Sequence, residues 1–141
     1  MQFIHSSSLL LLLTLLTACS SKSSSEELTK ELQTVFSWTA TAEMVGDAWV
    51  RGAVPTAYAK QTLSTAQQEL QKETGTLAQL STASTQRSTL LKNLQLLAKT
   101  VGQMSTAAEQ ADHRKMTQEI QKLSLAEQKI KTFAQTQGMQ I

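Results

Sequence analysis

The chain has 141 residues but only one cysteine, Cys19, one proline, Pro55, and five glycines. A single cysteine excludes an internal disulfide framework, a multi-cysteine zinc site and Cys-x-x-Cys-His haem attachment. Histidine is nearly as scarce, with His5 and His113 alone. A carboxylate-bridged two-metal helical bundle needs two Glu-x-x-His pairs pointing inward, and the chain lacks that set. Aromatic residues make up 4% of the chain, and β-branched and aromatic runs are missing, so strands have little to build on. No Gly-rich phosphate loop is present. The 13 basic and 11 acidic residues leave a net charge of +2, without the clustered Lys and Arg of a nucleic-acid surface. Long apolar runs are also lacking, with one exception at the N-terminus.

That exception is Leu9 to Leu16, broken only by Thr14. Eight residues fall short of the roughly 20 that span a bilayer as a helix, so the run reads as the core of a cleaved secretory signal, residues 1–18. Its n-region, Met1 to His5, carries no Lys or Arg. The run ends in Leu16-Thr17-Ala18-Cys19, which resembles the lipobox of bacterial lipoproteins: leucine, a small or polar residue, a small residue, then cysteine. The resemblance covers about one seventh of the chain. It implies cleavage between Ala18 and Cys19, a diacylglycerol on the Cys19 sulfur and an acyl chain such as palmitate on the new amine. Two or three acyl chains anchor a protein stably where one gives only marginal binding. In Gram-negative members of that family an aspartate after the cysteine retains the protein at the inner membrane. Ser20 in that place implies the outer membrane, with the body in the periplasm.

All the charged residues follow Cys19. Ser20 to Ser25 reads as a flexible tether, so that 19–25 forms a lipidated spacer and 26–141 a helical domain. Ser23 with Glu26, or Ser24 with Glu27, offers the start of a capping box. A first helix is expected over 26–51, with Leu28, Leu32, Val35, Trp38, Ala42, Val45 and Trp49 on one face. Gly52 and Pro55 then mark a helix end and a new first turn. A second helix, 55–80, carries Ala59, Leu63, Ala66, Leu70, Leu77 and Leu80, with Gly75 as a weak point. A polar turn is expected over 81–85. A third, from 86 to about 108, carries Leu90, Leu94, Leu97, Val101, Met104 and Ala108, with Leu91 and Leu96 widening the face. Asp112 suits an N-cap, and a fourth helix over 113–136 carries Met116, Ile120, Leu123, Ile130 and Phe133 before Gly138. Four amphipathic segments with short links predict an all-α, up-and-down four-helix bundle. A continuous helix through 108–113 gives a three-helix bundle or coiled coil instead.

Chemistry in this body has few candidates. Glu109, Asp112 and His113 form one local set that could hold a metal; the plain reading is a solvated turn. His113 with Met104 or Met116 could ligate haem iron, though Met at helical spacing is ordinary core filler. Glu43 and Asp47 lie at i, i+4, as an acid–base pair needs, but Arg51, four residues after Asp47, offers a plain ion pair. No catalytic residue and no cofactor beyond the Cys19 lipid are expected. The segment from Trp38 to Tyr58 gathers both tryptophans, the only tyrosine and the only proline. Aromatic residues with Arg are what protein interfaces concentrate, so Trp49, Arg51 and Tyr58 are candidates for partner binding, with a core role open for the tryptophans. The expected function is a non-enzymatic, membrane-anchored binding or scaffold module with an envelope protein as partner; a metal- or small-ligand-binding bundle is the alternative.

Overall fold

The computed structural model describes the backbone of residues 20–80 and 85–141, and side chains from residue 25 onward. The signal, the lipobox with Cys19, and 81–84 of the expected polar turn lie outside these residues. Four helices follow in order: α1 (Ser20–Val50), α2 (Thr56–Leu80), α3 (Thr85–Glu109) and α4 (His113–Thr136). Each helix packs on the next and α4 closes the ring against α1, while the diagonal α1–α3 contact is slight. This is the up-and-down four-helix bundle that the stripes predict. No strand occurs among the described residues, and no helix there is long and apolar enough to cross a membrane.

The stripes become the core almost residue for residue. Leu32, Val35, Ala42, Val45 and Trp49 of α1 are buried, as are Ala59, Leu63, Ala66, Leu70 and Leu77 of α2. Leu90, Leu94, Leu97, Val101, Met104 and Ala108 of α3 and Met116, Leu123 and Ile130 of α4 complete it. Leu28, Trp38, Leu91, Ile120 and Phe133 pack half-buried against its edge. Two expectations fail. Leu96 does not widen the α3 face but is exposed, and Leu80 stops at half-burial. Alanines close the gap on α3 and α4, where Ala98, Ala107, Ala126 and Ala134 are buried and let the helices approach. Gly46 serves the same end on α1: a Cβ there would lie 2.7 Å from Met104 Cε and 3.1 Å from Ile120 Cδ1.

The helix ends share one device. Gly52 N donates to the Trp49 carbonyl and Ala53 N to that of Ala48, closing α1 with the paired bonds of a Schellman motif. Gly138 and Met139 repeat the pattern at the end of α4, bonding to Gln135 and Ala134. Both glycines take φ of 72°, the left-handed conformation such a position requires. At the end of α3 the motif recurs with bonds from Ala111 to Ala108 and from Asp112 to Ala107, and Ala111 takes φ of 54° without being glycine. This sharp stop separates α3 from α4. Asp112 then caps α4, accepting from Lys115 N at 2.8 Å, as its position predicts. Pro55 sits one residue earlier than expected, its carbonyl accepting the first bond of α2 from Ala59 N.

The start of α1 differs from the sequence reading. The backbone is helical from Ser20, through the stretch expected as a coil tether, so Ser23 and Ser24 lie inside the helix and not at its N-cap. Serine ranks only modestly below alanine in a helix interior, so a helix already held by packing at Leu32 propagates through it. Gly75 likewise does not end α2, which continues to Leu80.

Candidate functional site

The turns 51–55 and 110–112 meet at the end of the bundle away from Ser20, and this end collects most of the candidates. The tight α3–α4 stop delivers His113, the first residue of α4, onto Trp49, the last buried residue of α1. Their rings stack with centroids 4.3 Å apart and planes 18° from parallel. Trp49 is 4% exposed, and its Nε1 donates to Thr56 Oγ1 at 3.0 Å across the α1–α2 turn. Trp49 is therefore a core anchor. Arg51 and Tyr58 remain outside, Tyr58 at 51% exposure. Arg51 does not form the expected ion pair with Asp47: its Nε donates to the Asp47 carbonyl at 3.3 Å. The chain turns away from the helix at Arg51, so its side chain meets the final turn's backbone and not the carboxylate four residues back.

The three metal candidates take separate partners. Glu109 Oε1 pairs with Lys60 Nζ at 2.7 Å, tying α3 to α2. Asp112 caps α4 and His113 stacks on Trp49. Among the described residues no group of three or more His, Cys, Asp or Glu side chains could hold a metal ion. Met104 and Met116, the conceivable haem ligands, are fully buried core residues.

The structure instead shows buried carboxylates that the sequence reading missed. Glu73 fills the gap in the α2 stripe between Leu70 and Leu77 and is 6% exposed. Burial, a hydrogen bond with Glu31 of α1 and the charge of Glu31 push its carboxyl up to about 7, against a weaker opposing effect of Lys72. Glu119 is wholly buried, and its Oε1 accepts from Lys115 at 2.9 Å and Lys122 at 2.8 Å. Burial alone would raise this carboxyl, but the two lysines outweigh it and hold it below the ordinary glutamate value. Glu127 pairs with Lys131 at 2.6 Å, and Lys131 Nζ also lies 5.4 Å over the Phe36 ring, clasping α4 to α1. Glu43 faces this cluster. Burial raises its carboxyl and Glu127 adds to the rise, against Lys131. Asp47 is exposed, so the two carboxylates considered for acid–base work lie in different settings. A signal for these residues does exist in the sequence: a Glu in apolar register, with Lys three or four residues away for Glu119 and Glu127.

Among the open grooves of the described surface are two between neighbouring helices. One, of about 600 Å³, runs between α2 and α3 past Gln67, Gln71, Gln95 and Lys99. The other, of about 530 Å³, runs between α3 and α4. Neither is lined by Glu43, Asp47 or His113. No protein-family model matches the chain, and no curated protein or solved structure matches it either.

Proposed function

We propose that the protein is a bacterial lipoprotein whose helical bundle acts as a non-enzymatic binding or scaffold module in the cell envelope. The Leu16-Thr17-Ala18-Cys19 sequence after the leucine run carries the anchoring half of this reading. The lipid on Cys19 leads directly into α1, so anchor and bundle are joined by helix from Ser20. The binding half is supported by one observation: the candidate residues around the α3–α4 turn are dispersed into structural roles, Glu109 pairing with Lys60, Asp112 capping α4 and His113 stacking on Trp49. Open grooves and exposed side chains at the turn end, Arg51 and Tyr58 among them, remain for a partner. If the source is Gram-negative, Ser20 favours the outer membrane, with the bundle facing the periplasm.

Mass spectrometry of the mature N-terminus tests the anchor. The expected product begins at Cys19 and carries diacylglycerol and an N-acyl chain, and Cys19→Ser moves the protein out of the membrane fraction. An intact, unmodified Met1 chain overturns the anchor. Cross-linking in intact cells tests the module: a partner is recovered from the wild type, and its capture falls with Arg51→Ala and Tyr58→Ala if the turn end is the contact.

A further inference from the structure

The two halves of the bundle differ in charge. Residues 20–80 carry seven acidic and five basic side chains, and residues 85–141 carry four acidic and eight basic ones. Of those four acids, Glu119 and Glu127 are buried, and Glu109 and Asp112 lie at the α3–α4 turn. The long outer face of α3 and α4 thus presents lysines with no exposed carboxylate among them. Lys92 and Lys99 stand seven residues apart on α3, as Lys122 and Lys129 do on α4, a spacing of about 10.5 Å along each helix. Lys92, Lys99 and Lys129 line the 530 Å³ groove together with Leu96. Among the described residues none of these three has a carboxylate within salt-bridge distance. Leu96 in the groove is 40% exposed, and Leu125, one turn before Lys129, is 60% exposed.

We propose that the α3–α4 groove docks an acidic amphipathic helix of a partner protein. This names the partner's chemistry and rests on the reading of the chain as a binding module. A helix laid along the groove repeats its side chains at the same two-turn spacing as the lysine rows. Acidic residues on its flanks meet Lys92 and Lys99 on one bank and Lys129 on the other, while its apolar stripe covers Leu96 in the groove, the helix-in-groove mode. Charge complementarity sets the sign of the partner and its orientation. A bilayer is a poorer fit, because a flat surface touches helix crests and leaves the channel between them empty.

The test uses the full chain in detergent and a synthetic three-heptad helix with leucine at a and d and glutamate at e and g, against an isomer with lysine in place of glutamate. The acidic peptide binds about tenfold or more tightly than the basic one, and binding weakens with salt. Lys99→Glu with Lys129→Glu lowers the acidic peptide's affinity about tenfold with an unchanged circular dichroism spectrum. Equal affinity for the two peptides, or indifference to the charge reversals, overturns the proposal. So does shielding of Lys92, Lys99 and Lys129 from an amine-reactive label on phosphatidylglycerol vesicles but not on neutral ones, which makes the face a lipid surface. A lysine-dependent dimer in sedimentation overturns it in favour of a second copy. A natural partner whose cross-linking ignores the charge reversals removes the groove and leaves the module reading standing; recovery of no partner removes the module reading itself.

Discussion

Glu73 lies where the periodicity of α2 calls for an apolar side chain, and its carboxyl meets that of Glu31. Two carboxyls at hydrogen-bonding distance are compatible when one is protonated, and burial makes Glu73 the one that keeps its proton. Its folded-state pKa of about 7 exceeds the ordinary 4.5. The folded state therefore binds more protons than the unfolded chain through this window, and stability falls as pH rises from about 4.5 to 7 and stays lowered above it. Glu73→Gln mimics the protonated form. It is expected to leave stability at pH 5 nearly unchanged and to raise it by about 1–2 kcal/mol at pH 8, as urea titrations at the two pH values will show. Ala111 carries strain of another kind. It occupies the left-handed position that Gly52 and Gly138 fill at the other two Schellman ends. Ala111→Gly is expected to raise stability by about 0.5–1 kcal/mol, the relief at φ of 54° outweighing the added freedom of the unfolded chain. A lower melting temperature for the variant refutes this.

Along the helices, glycine has two opposite meanings. Gly46 is a contact point, where a methyl group would press on Met104 and Ile120 in the core. Gly75 faces open space, with nothing within 4 Å of an added Cβ. Gly46→Ala gains helix propensity but overpacks the α1–α3–α4 junction, for a net loss of about 1 kcal/mol. Gly75→Ala gains propensity alone, about 0.5–1 kcal/mol. Chemical denaturation of the two variants side by side checks the opposite signs. The sequence alone cannot tell the two apart, because the difference lies in what a neighbouring helix brings within reach. The same limit explains the buried carboxylates. Apolar periodicity gave the helices and nearly all of their inward faces, since a stripe at 3.6-residue period is a one-dimensional property. Glu73, Glu119 and Glu127 are buried by packing and by lysines that reach over them, and those depend on which helices are neighbours. The C-terminal stop of α3 was legible in the loss of apolar residues over 107–115 and in Asp112, while Ala111 disguises a glycine position.

For the molecule as a whole, Trp49 joins three of the four helices at one end. Its ring is buried at the end of α1, its Nε1 is held by Thr56 of α2, and its face is covered by His113 of α4. Trp49→Ala is expected to cost about 3–5 kcal/mol, a large share of the stability of a domain this size. Arg51→Ala and Tyr58→Ala, on the exposed side of the same turn, are expected to stay within about 0.5 kcal/mol of wild type. Thermal melts of the three variants separate the anchor from the free surface: a Tyr58→Ala loss as large as that of Trp49→Ala would place Tyr58 in the core. Among the expected interface residues, Trp49 thus turned out structural, and the candidates left for contact are those the periodicity did not claim.

An even number of antiparallel helices brings a chain back to the side on which it began. α1 has 31 residues against 25 in α2, an excess of six residues, about 9 Å, at its N-terminal end. The last residues, Met139 to Ile141, return to that same side. If Cys19 carries the proposed lipid, a tag or fluorophore appended after Ile141 stands at the pole nearer the bilayer. A short epitope inserted in the 110–112 turn stands at the opposite pole, in open solution, and is the handle by which an anchored copy can be pulled.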